Sequence, residues 1–120
     1  MEKSEKEKQQ LTTLGLVETS LEKEIKYRNG TFKIKVLLPY EKSYIIKLIS
    51  DQLGNASALL TDELDYVRKI CTLQVCIKEY PEWWEGAGKC IDEALLDELY
   101  EAHLKLEADI QSQLKKNRAN

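Results

Sequence analysis

The clearest pattern along the chain is an alternation of apolar and charged residues over positions 21–38, "LEKEIKYRNGTFKIKVLL", around the dipeptide Asn29-Gly30. Alternation is typical of a strand with one buried face. Asn-Gly is the strongest short hairpin signal, because both central residues of a type I′ turn need positive φ. A turn at Asn29-Gly30 sets these residues opposite one another: Tyr27 and Phe32, Ile25 and Ile34, Leu21 and Leu38, Glu24 and Lys35, Lys26 and Lys33. The segment predicts an antiparallel hairpin with its apolar partners on one face and one repulsive lysine pair on the other.

Two segments after the hairpin have the spacing of helices. Pro39 ends the second predicted strand, and Gly54 is a favourable C-terminal cap for the helix that follows it. Four apolar residues recur between them at helical intervals: Ile45, Leu48, Ile49 and Leu53. Residues 62–80 predict a further helix, which is apolar on nearly every side from Ile70 to Ile77. A helix of that kind is expected to lie at the centre of a fold, between two or more neighbours.

A long final helix is predicted from about Lys89 to Lys115. Its apolar stripe has spacings of three and four residues: Ile91, Leu95, Leu99, Ala102, Leu106, Ile110 and Leu114. Carboxylates crowd its first half and basic residues follow its end, an order that suits the helix dipole.

These elements predict a single α+β domain that is mainly α. An N-terminal antiparallel β-hairpin packs on about three helices, of which the last is long. The domain is predicted to span residues 21–116, after a charged and partly disordered tail over residues 1–20 and before a polar tail over residues 117–120. The chain has 120 residues, 42% hydrophobic and 32% charged, which fits one domain of ordinary size.

Charge and cysteine content narrow the function classes. A net charge of −3 and an isoelectric point near 5.3 argue against a nucleic-acid-binding protein, which usually has a basic stripe. No apolar run approaches the roughly 18 residues needed to cross a bilayer. The first ten residues contain no apolar signal-peptide core, and three cysteines, an odd number, do not indicate a disulfide framework. We expect a cytosolic protein that does not associate with membranes.

The potential chemical residues do not form a recognisable active site. Cys90 and the single histidine, His103, lie on the same predicted helix roughly 20 Å apart, at about 1.5 Å per residue, so they cannot act as a nucleophile–base pair. Cys71 and Cys76 point to different sides of their predicted helix, and the Cys/His spacing matches no compact zinc site. We expect no enzyme activity, no metal and no cofactor, and the roles of the three cysteines and the histidine stay open.

The two tryptophans are the strongest candidates for binding. They lie in "YPEWWEGAGKC", residues 80–90, and adjacent side chains in a turn point in different directions. One indole could pack beneath the last helix with the other half exposed, or Tyr80, Trp83 and Trp84 could anchor a partner, because tryptophan is enriched at binding hot spots. The second candidate surface is the apolar stripe of the last helix, which could contact a partner or a second copy of the chain through Leu99, Leu106, Ile110 and Leu114.

The order of these features resembles one family. The sequence contains, in order, "RNGTFKIKVLLP", "YEKSYIIKLI", "VRKICTLQVCIKEYPEWW", a long amphipathic helix and "LKKNRAN". This order is similar to that of the tail assembly chaperones of long-tailed bacteriophages. The resemblance covers about residues 24–116, and residues 75–84 carry most of it.

The resemblance implies a non-enzymatic protein in the cytoplasm of a bacterial host. Such chaperones bind the phage tape measure protein, a long helical chain, and keep it soluble while the tail tube forms; the tail tube protein is a further candidate partner. The alternative is a small phage-encoded inhibitor that binds a host defence enzyme through the acidic helix face from Asp92 to Glu101. An enzyme that needs a partner chain to complete its site is the third class.

Overall fold

The computed structural model describes residues 5–16, 20–28, 30–54 and 61–119. Asn29 of the predicted turn and Asn120 of the predicted polar tail lie outside these ranges. The described elements are, in order, α1 (Glu5–Leu14), β1 (Glu22–Tyr27), β2 (Gly30–Lys35), α2 (Pro39–Leu53), α3 (Thr61–Cys76), β3 (Ile77–Glu79), a short 3₁₀ helix (Ala87–Lys89) and α4 (Glu93–Ala119). The predicted class is confirmed: the fold is α+β and mainly helical, with an antiparallel hairpin and a long last helix.

The hairpin forms, but its register is shifted by two residues from the predicted one. Ile25 pairs with Phe32, and Glu24 pairs with Lys33. A shift of two leaves the same side chains on the buried face, because successive side chains point to opposite faces of a strand. It also replaces the repulsion predicted between Lys26 and Lys33 with an attractive pair. All five predicted pairs are therefore wrong, although the predicted buried face is right.

The position of Gly30 explains this register. Among the described residues of the turn, Arg28 has a positive φ (48°), and Gly30 is the first residue of β2. A Cβ atom at Gly30 would lie 2.6 Å from Pro81 Cγ and 3.0 Å from Trp83 Cζ2. Real Cβ atoms do not approach other heavy atoms so closely. Glycine is needed here for close packing of the strand against the segment that follows β3.

A third strand completes the sheet, in the order β1-β2-β3. The helix predicted over residues 62–80 is wrong at its C-terminal end, because α3 stops at Cys76 and Ile77–Glu79 pair antiparallel with β2. Lys33, on the central strand, forms an ion pair with Glu79 at 3.0 Å. A segment of three residues is too short to show the alternation of apolar and polar residues that predicts a strand. Its strand conformation comes from pairing with β2.

Both ends of α4 differ from the prediction. The helix runs to Ala119, four residues past the predicted end at Lys115 and into the predicted polar tail. The helix begins at Glu93, four residues after the predicted Lys89. Asp92 precedes it, and its Oδ1 accepts a hydrogen bond from the Leu95 N–H at 3.2 Å, as an N-cap residue does. Ile91 therefore lies before the helix, outside the apolar stripe, and is 95% exposed.

The start of α2 is organised by a carboxylate. Pro39 occupies the first helical turn, where its missing N–H is not needed. Glu41 accepts a hydrogen bond from the Leu38 N–H at 3.0 Å and forms an ion pair with Lys35. Burial by itself raises the pKa of Glu41, but these two hydrogen bonds outweigh it and lower the pKa below the usual value. Glu41 thus joins the end of the sheet to the start of α2.

The core lies between the sheet and the helices. As its apolar second half predicts, α3 is central and packs against α2, α4 and β3. The largest fully buried side chains come from β2, α3 and α4: Phe32, Ile34, Leu73, Leu95, Leu96, Leu99, Cys71 and Cys76.

The N-terminal helix α1, which lies within the predicted tail, is tied to the end of α4. Gly15 has a φ of 73°, and the Leu16 N–H donates to the Leu11 carbonyl at 2.8 Å, which closes the helix in a Schellman motif. The amide Nδ2 of Asn117 on α4 donates to the carbonyls of Leu14 at 2.8 Å and Gly15 at 3.1 Å. Two carbonyls at the C-terminal end of α1, those of Leu14 and Gly15, are therefore bonded to another helix.

Replacing Gly30 with alanine tests the close packing at the hairpin. We expect Gly30→Ala to reduce the free energy of unfolding by about 1–3 kcal/mol, the usual cost of overpacking, as measured by urea denaturation. Gly88→Ala is the matched control, because a Cβ there would meet only Gln74 Nε2 at 3.4 Å, an ordinary contact. An equal effect of the two substitutions would contradict this role for Gly30.

Candidate protein-binding site

The connection from β3 to α4, residues 80–92, is the main candidate site; we call it the aromatic loop. It is held in shape by its own backbone. The Trp84 N–H donates to the Pro81 carbonyl at 3.0 Å, and the Lys89 N–H donates to the Gly86 carbonyl at 3.1 Å. Gly86 has a φ of 122°, a conformation that essentially only glycine adopts. The loop therefore presents its side chains from a defined backbone.

The adjacent tryptophans separate into one buried and one half-exposed indole. Trp84 is buried, and its ring lies edge-on to Phe32 with 5.0 Å between ring centroids. Trp83 is 49% exposed, and its ring also lies edge-on to Phe32, at 5.8 Å. Both are favourable aromatic geometries. One fully buried phenylalanine thus orients both indoles.

The exposed half of Trp83 faces a groove between the hairpin tip and the start of α4, which we call the Trp83 groove. Its volume is about 420 Å³. Its walls are Tyr27, Arg28, Trp83, Glu85, Gly86, Lys89, Cys90, Ile91, Asp92 and Leu95. Ile91 is almost fully exposed at this position. A rigid indole and an exposed isoleucine beside one groove form an apolar surface that a partner could cover.

One carboxylate ties the walls of the Trp83 groove together. The Tyr27 hydroxyl donates to Asp92 Oδ2 at 2.8 Å, which links the hairpin to the start of α4. This hydrogen bond is the main cause that raises the pKa of Tyr27 and lowers the pKa of Asp92. The Arg28 guanidinium lies 5.4 Å from the centre of the Tyr27 ring, within range of a cation–π contact. Asp92 is therefore already occupied inside the chain.

Tyr80 lies on a second, smaller groove of about 240 Å³. The residues around it are Leu73, Gln74, Ile77, Tyr80, Trp84, Glu85, Gly86 and Ala87. Tyr80 is 57% exposed. Glu85 and Gly86 line both grooves and form a ridge between them. A partner crossing this ridge could contact the side chains of Tyr80 and Trp83 together.

The structure divides the predicted contact residues into two groups. Tyr80 and Trp83 lie at the surface of the aromatic loop. The remaining predicted residues, however, pack within the chain: Trp84, Leu99, Leu106 and Ile110 are buried in the core, and Leu114 packs partly buried against it. The last helix uses its stripe to build the domain, because α4 packs on α3 and on the sheet. In this conformation Leu99, Leu106 and Ile110 are covered by the chain itself, and Leu114 keeps part of its surface exposed.

Several residues of the Trp83 groove were not among the predicted contacts. The sequence pattern places Ile91 in the helical stripe and gives Arg28 no role, whereas both line the groove with Lys89. One signal for Ile91 is present in the sequence: Asp92 is a good N-cap residue, and placing the helix start there would have put Ile91 outside the helix. Nothing in the sequence indicates that the hairpin tip meets the aromatic loop.

The cysteines are poorly suited to nucleophilic chemistry. Cys71 and Cys76 are fully buried, and burial raises the pKa of Cys76 to about 12. Burial also raises the pKa values of Cys71 and of the partly buried Cys90. The thiols are therefore protonated at neutral pH, and a protonated thiol is a weak nucleophile. Within the described ranges, no three or more His, Cys, Asp or Glu side chains lie close enough to hold a metal ion.

Comparisons with protein-family models, with curated proteins and with solved structures find no match for this chain. Among the helices of the described ranges, none has the length and apolar character required to cross a membrane.

His103 is buried on α4, with 5% of its side chain exposed. Its Nε2 lies 4.0 Å from Glu107 Oε2, and its Nδ1 has no hydrogen-bond partner among the described residues. Burial lowers the pKa of His103, and the nearby charge of Glu107 only partly opposes this effect. The imidazole is therefore neutral at pH 7 in the folded chain.

This burial predicts a loss of stability in mild acid. Below pH 6.5, the usual pKa of histidine, the unfolded chain binds a proton that folded His103 does not. The free energy of unfolding should therefore fall as the pH is lowered from 6.5 to about 5. His103→Leu should remove this dependence of the free energy of unfolding on pH. The free energy can be measured by urea denaturation at several pH values across that range. Glu41→Gln is the control. The pKa of Glu41 is lowered from 4.5, so the contribution of Glu41 to the free energy of unfolding is lost only at lower pH. In this variant the free energy of unfolding should still fall between pH 6.5 and about 5. If the free energy of unfolding of His103→Leu still depends on pH in the same way, burial of His103 is not the cause of the loss of stability.

Proposed function

We propose that this chain is a non-enzymatic protein-binding protein and that its partner is held at the Trp83 groove and Tyr80. One observation carries the proposal: the indole of Trp83 is fixed against Phe32 with about half of its surface exposed, beside Ile91, which is 95% exposed. Tryptophan is among the residues that contribute most to binding energy at protein interfaces.

The geometry favours binding because the contact residues are held in advance. Trp83 packs over Gly30 and against Phe32, so little side-chain entropy remains to be lost when a partner binds. A preorganised anchor of this kind increases affinity without further contacts. Lys89 and Glu85 at the walls supply polar groups around an apolar centre, the usual arrangement in a protein interface.

For the partner, we propose the tape measure protein of a long-tailed phage, with this chain acting as its tail assembly chaperone in the cytoplasm of the host. The resemblance of residues 24–116 to that family supports this narrower role, and residues 80–84 of the aromatic loop lie in the part that carries most of the resemblance. A long amphipathic client exposes apolar stripes that a half-exposed indole and an isoleucine could cover.

The alternative role, as an inhibitor that uses the acidic face of α4, is less favoured by the contacts of that face. Asp92 accepts a hydrogen bond from Tyr27, and Asp97 pairs with Lys69 at 2.7 Å. Glu93 accepts a hydrogen bond from Tyr66 at 2.8 Å. Three of the five carboxylates from Asp92 to Glu101 are thus bonded within the chain and are less available for a basic partner.

Substitution of Trp83 tests the proposal. When the chain is co-expressed with an amphipathic tape measure segment, we expect Trp83→Ala to weaken binding by about 2 kcal/mol or more, the range of interface hot spots, and to lower the soluble fraction of the segment. Affinity can be measured by titration calorimetry with a soluble fragment of the segment.

Tyr44→Ala is the matched control, since Tyr44 is an exposed aromatic residue on α2 that lines neither groove. We expect it to leave affinity and client solubility unchanged. If the segment does not bind the unmodified chain, the chaperone role is wrong. If it binds but Trp83→Ala and Tyr44→Ala behave alike, the assignment of the site is wrong.

A further inference from the structure

A third groove lies among the three larger helices and shares no lining residue with the Trp83 groove. Because α3 packs against both α2 and α4, it forms the floor of a channel whose two walls are α2 and α4. The volume of this α2/α4 groove is about 340 Å³. The residues that line it are Leu37, Lys42, Ile45, Ile46, Arg68, Thr72, Tyr100, His103, Leu104 and Glu107.

The lining residues recur at helical spacing on each helix. On α4 they lie at positions 100, 103, 104 and 107, on α2 at 42, 45 and 46, and on α3 at 68 and 72. Each helix thus turns one side toward the channel. A channel between two helices over a third is the setting in which an amphipathic helix from another protein usually docks.

The walls of the α2/α4 groove expose aliphatic side chains on both sides. Ile46 on α2 is 64% exposed, and Leu104 on α4 is 49% exposed. Beneath them lie buried apolar side chains, including Ile45 and Leu37. A helix in the channel would remove both exposed walls from water, which is the main favourable contribution to such contacts.

The unbalanced charge of the groove is positive, in a chain whose net charge is −3. The carboxylate of Glu107 is already engaged: one oxygen accepts a hydrogen bond from the Leu37 N–H at 2.7 Å, and the other lies 3.6 Å from Lys42 Nζ. His103 is buried and contributes no charge when neutral. Arg68, which is exposed, forms no ion pair with another residue of the described ranges. A complementary occupant would therefore carry a carboxylate near Arg68.

We propose that the α2/α4 groove binds an acidic amphipathic helix of a partner protein. The apolar stripe of the partner helix lies between Ile46 and Leu104, and one carboxylate of that helix pairs with Arg68. This site goes beyond the proposed function, because it is a second surface that does not require the aromatic loop.

Two helical peptides of about 18 residues provide the probe, a length at which an isolated helix can form. They share one leucine stripe and differ only in their flanking charges, which are glutamate in one and lysine in the other. Binding to the full chain is measured by fluorescence anisotropy at low salt. We expect the acidic peptide to bind about fivefold more tightly or better, the effect of an ion pair worth about 1 kcal/mol. Its binding should shift the backbone amide NMR signals of Ile46, Arg68 and Leu104.

Two matched pairs of variants locate the site. Ile46→Ser should weaken binding of the acidic peptide at least tenfold, whereas Ile91→Ser, which removes an exposed isoleucine outside the α2/α4 groove, should not change it. Arg68→Glu should abolish or reverse the preference for the acidic peptide. Lys47→Glu, a charge reversal on α2 outside the groove lining, should retain that preference.

Three outcomes would overturn this proposal: no preference for the acidic peptide, equal effects of Ile46→Ser and Ile91→Ser, or unchanged preference in Arg68→Glu. Peptide binding that is lost in Trp83→Ala and Ile91→Ser but retained in Ile46→Ser would place the helix in the Trp83 groove. That result would reject the second site and support the first. Failure of the tape measure segment to bind, with the acidic peptide still sensitive to Ile46→Ser, would reject the proposed function alone.

Discussion

The packing of Phe32 against both tryptophans is the contact on which the rest of the structure depends. Phe32 is fully buried on the central strand, and both indoles meet its ring edge-on. The ring can receive two large neighbours because Gly30, two residues earlier on the same strand, leaves space for Pro81 and Trp83. This contact closes the aromatic loop over the hairpin. It also decides which indole is buried and which faces the solvent.

Carboxylates join the elements at the points where the chain changes direction. Glu107 on α4 accepts the Leu37 N–H, and Glu41 on α2 accepts the N–H of the next residue, Leu38. Two consecutive amides in the connection from the sheet to α2 are thus satisfied by side chains of two different helices. Asp92 has a similar position at the start of α4, where it binds both Tyr27 and Leu95. These three carboxylates therefore hold elements of the fold together by hydrogen bonds within the chain.

The Trp83 groove and the α2/α4 groove are built from different kinds of structural element. The Trp83 groove lies between the hairpin tip, the aromatic loop and the start of α4, and aromatic packing and a glycine conformation hold the side chains of the loop. The α2/α4 groove is formed by rigid helices that pack on a common floor. A protein that binds a long partner could engage it at both sites, since two linked contacts bind more tightly than either alone. The apolar stripe of α4 differs from both grooves, because Leu99, Leu106 and Ile110 are buried in the core and Leu114 is partly buried against it.

The sequence by itself determined the fold class, the hairpin with its buried face, the central position of α3 and the length of α4, because these follow from periodicity and turn chemistry within single segments. Tertiary structure decided the register of the hairpin, the strand Ile77–Glu79 and the burial of most of the α4 stripe. Each of these depends on contacts between segments far apart in sequence. Gly30 illustrates the difference: the turn signal Asn29-Gly30 correctly located the hairpin, but the space that requires a glycine is set by Pro81 and Trp83, some fifty residues away. A local pattern records which face of a segment is apolar, and only the folded chain decides which neighbour covers that face.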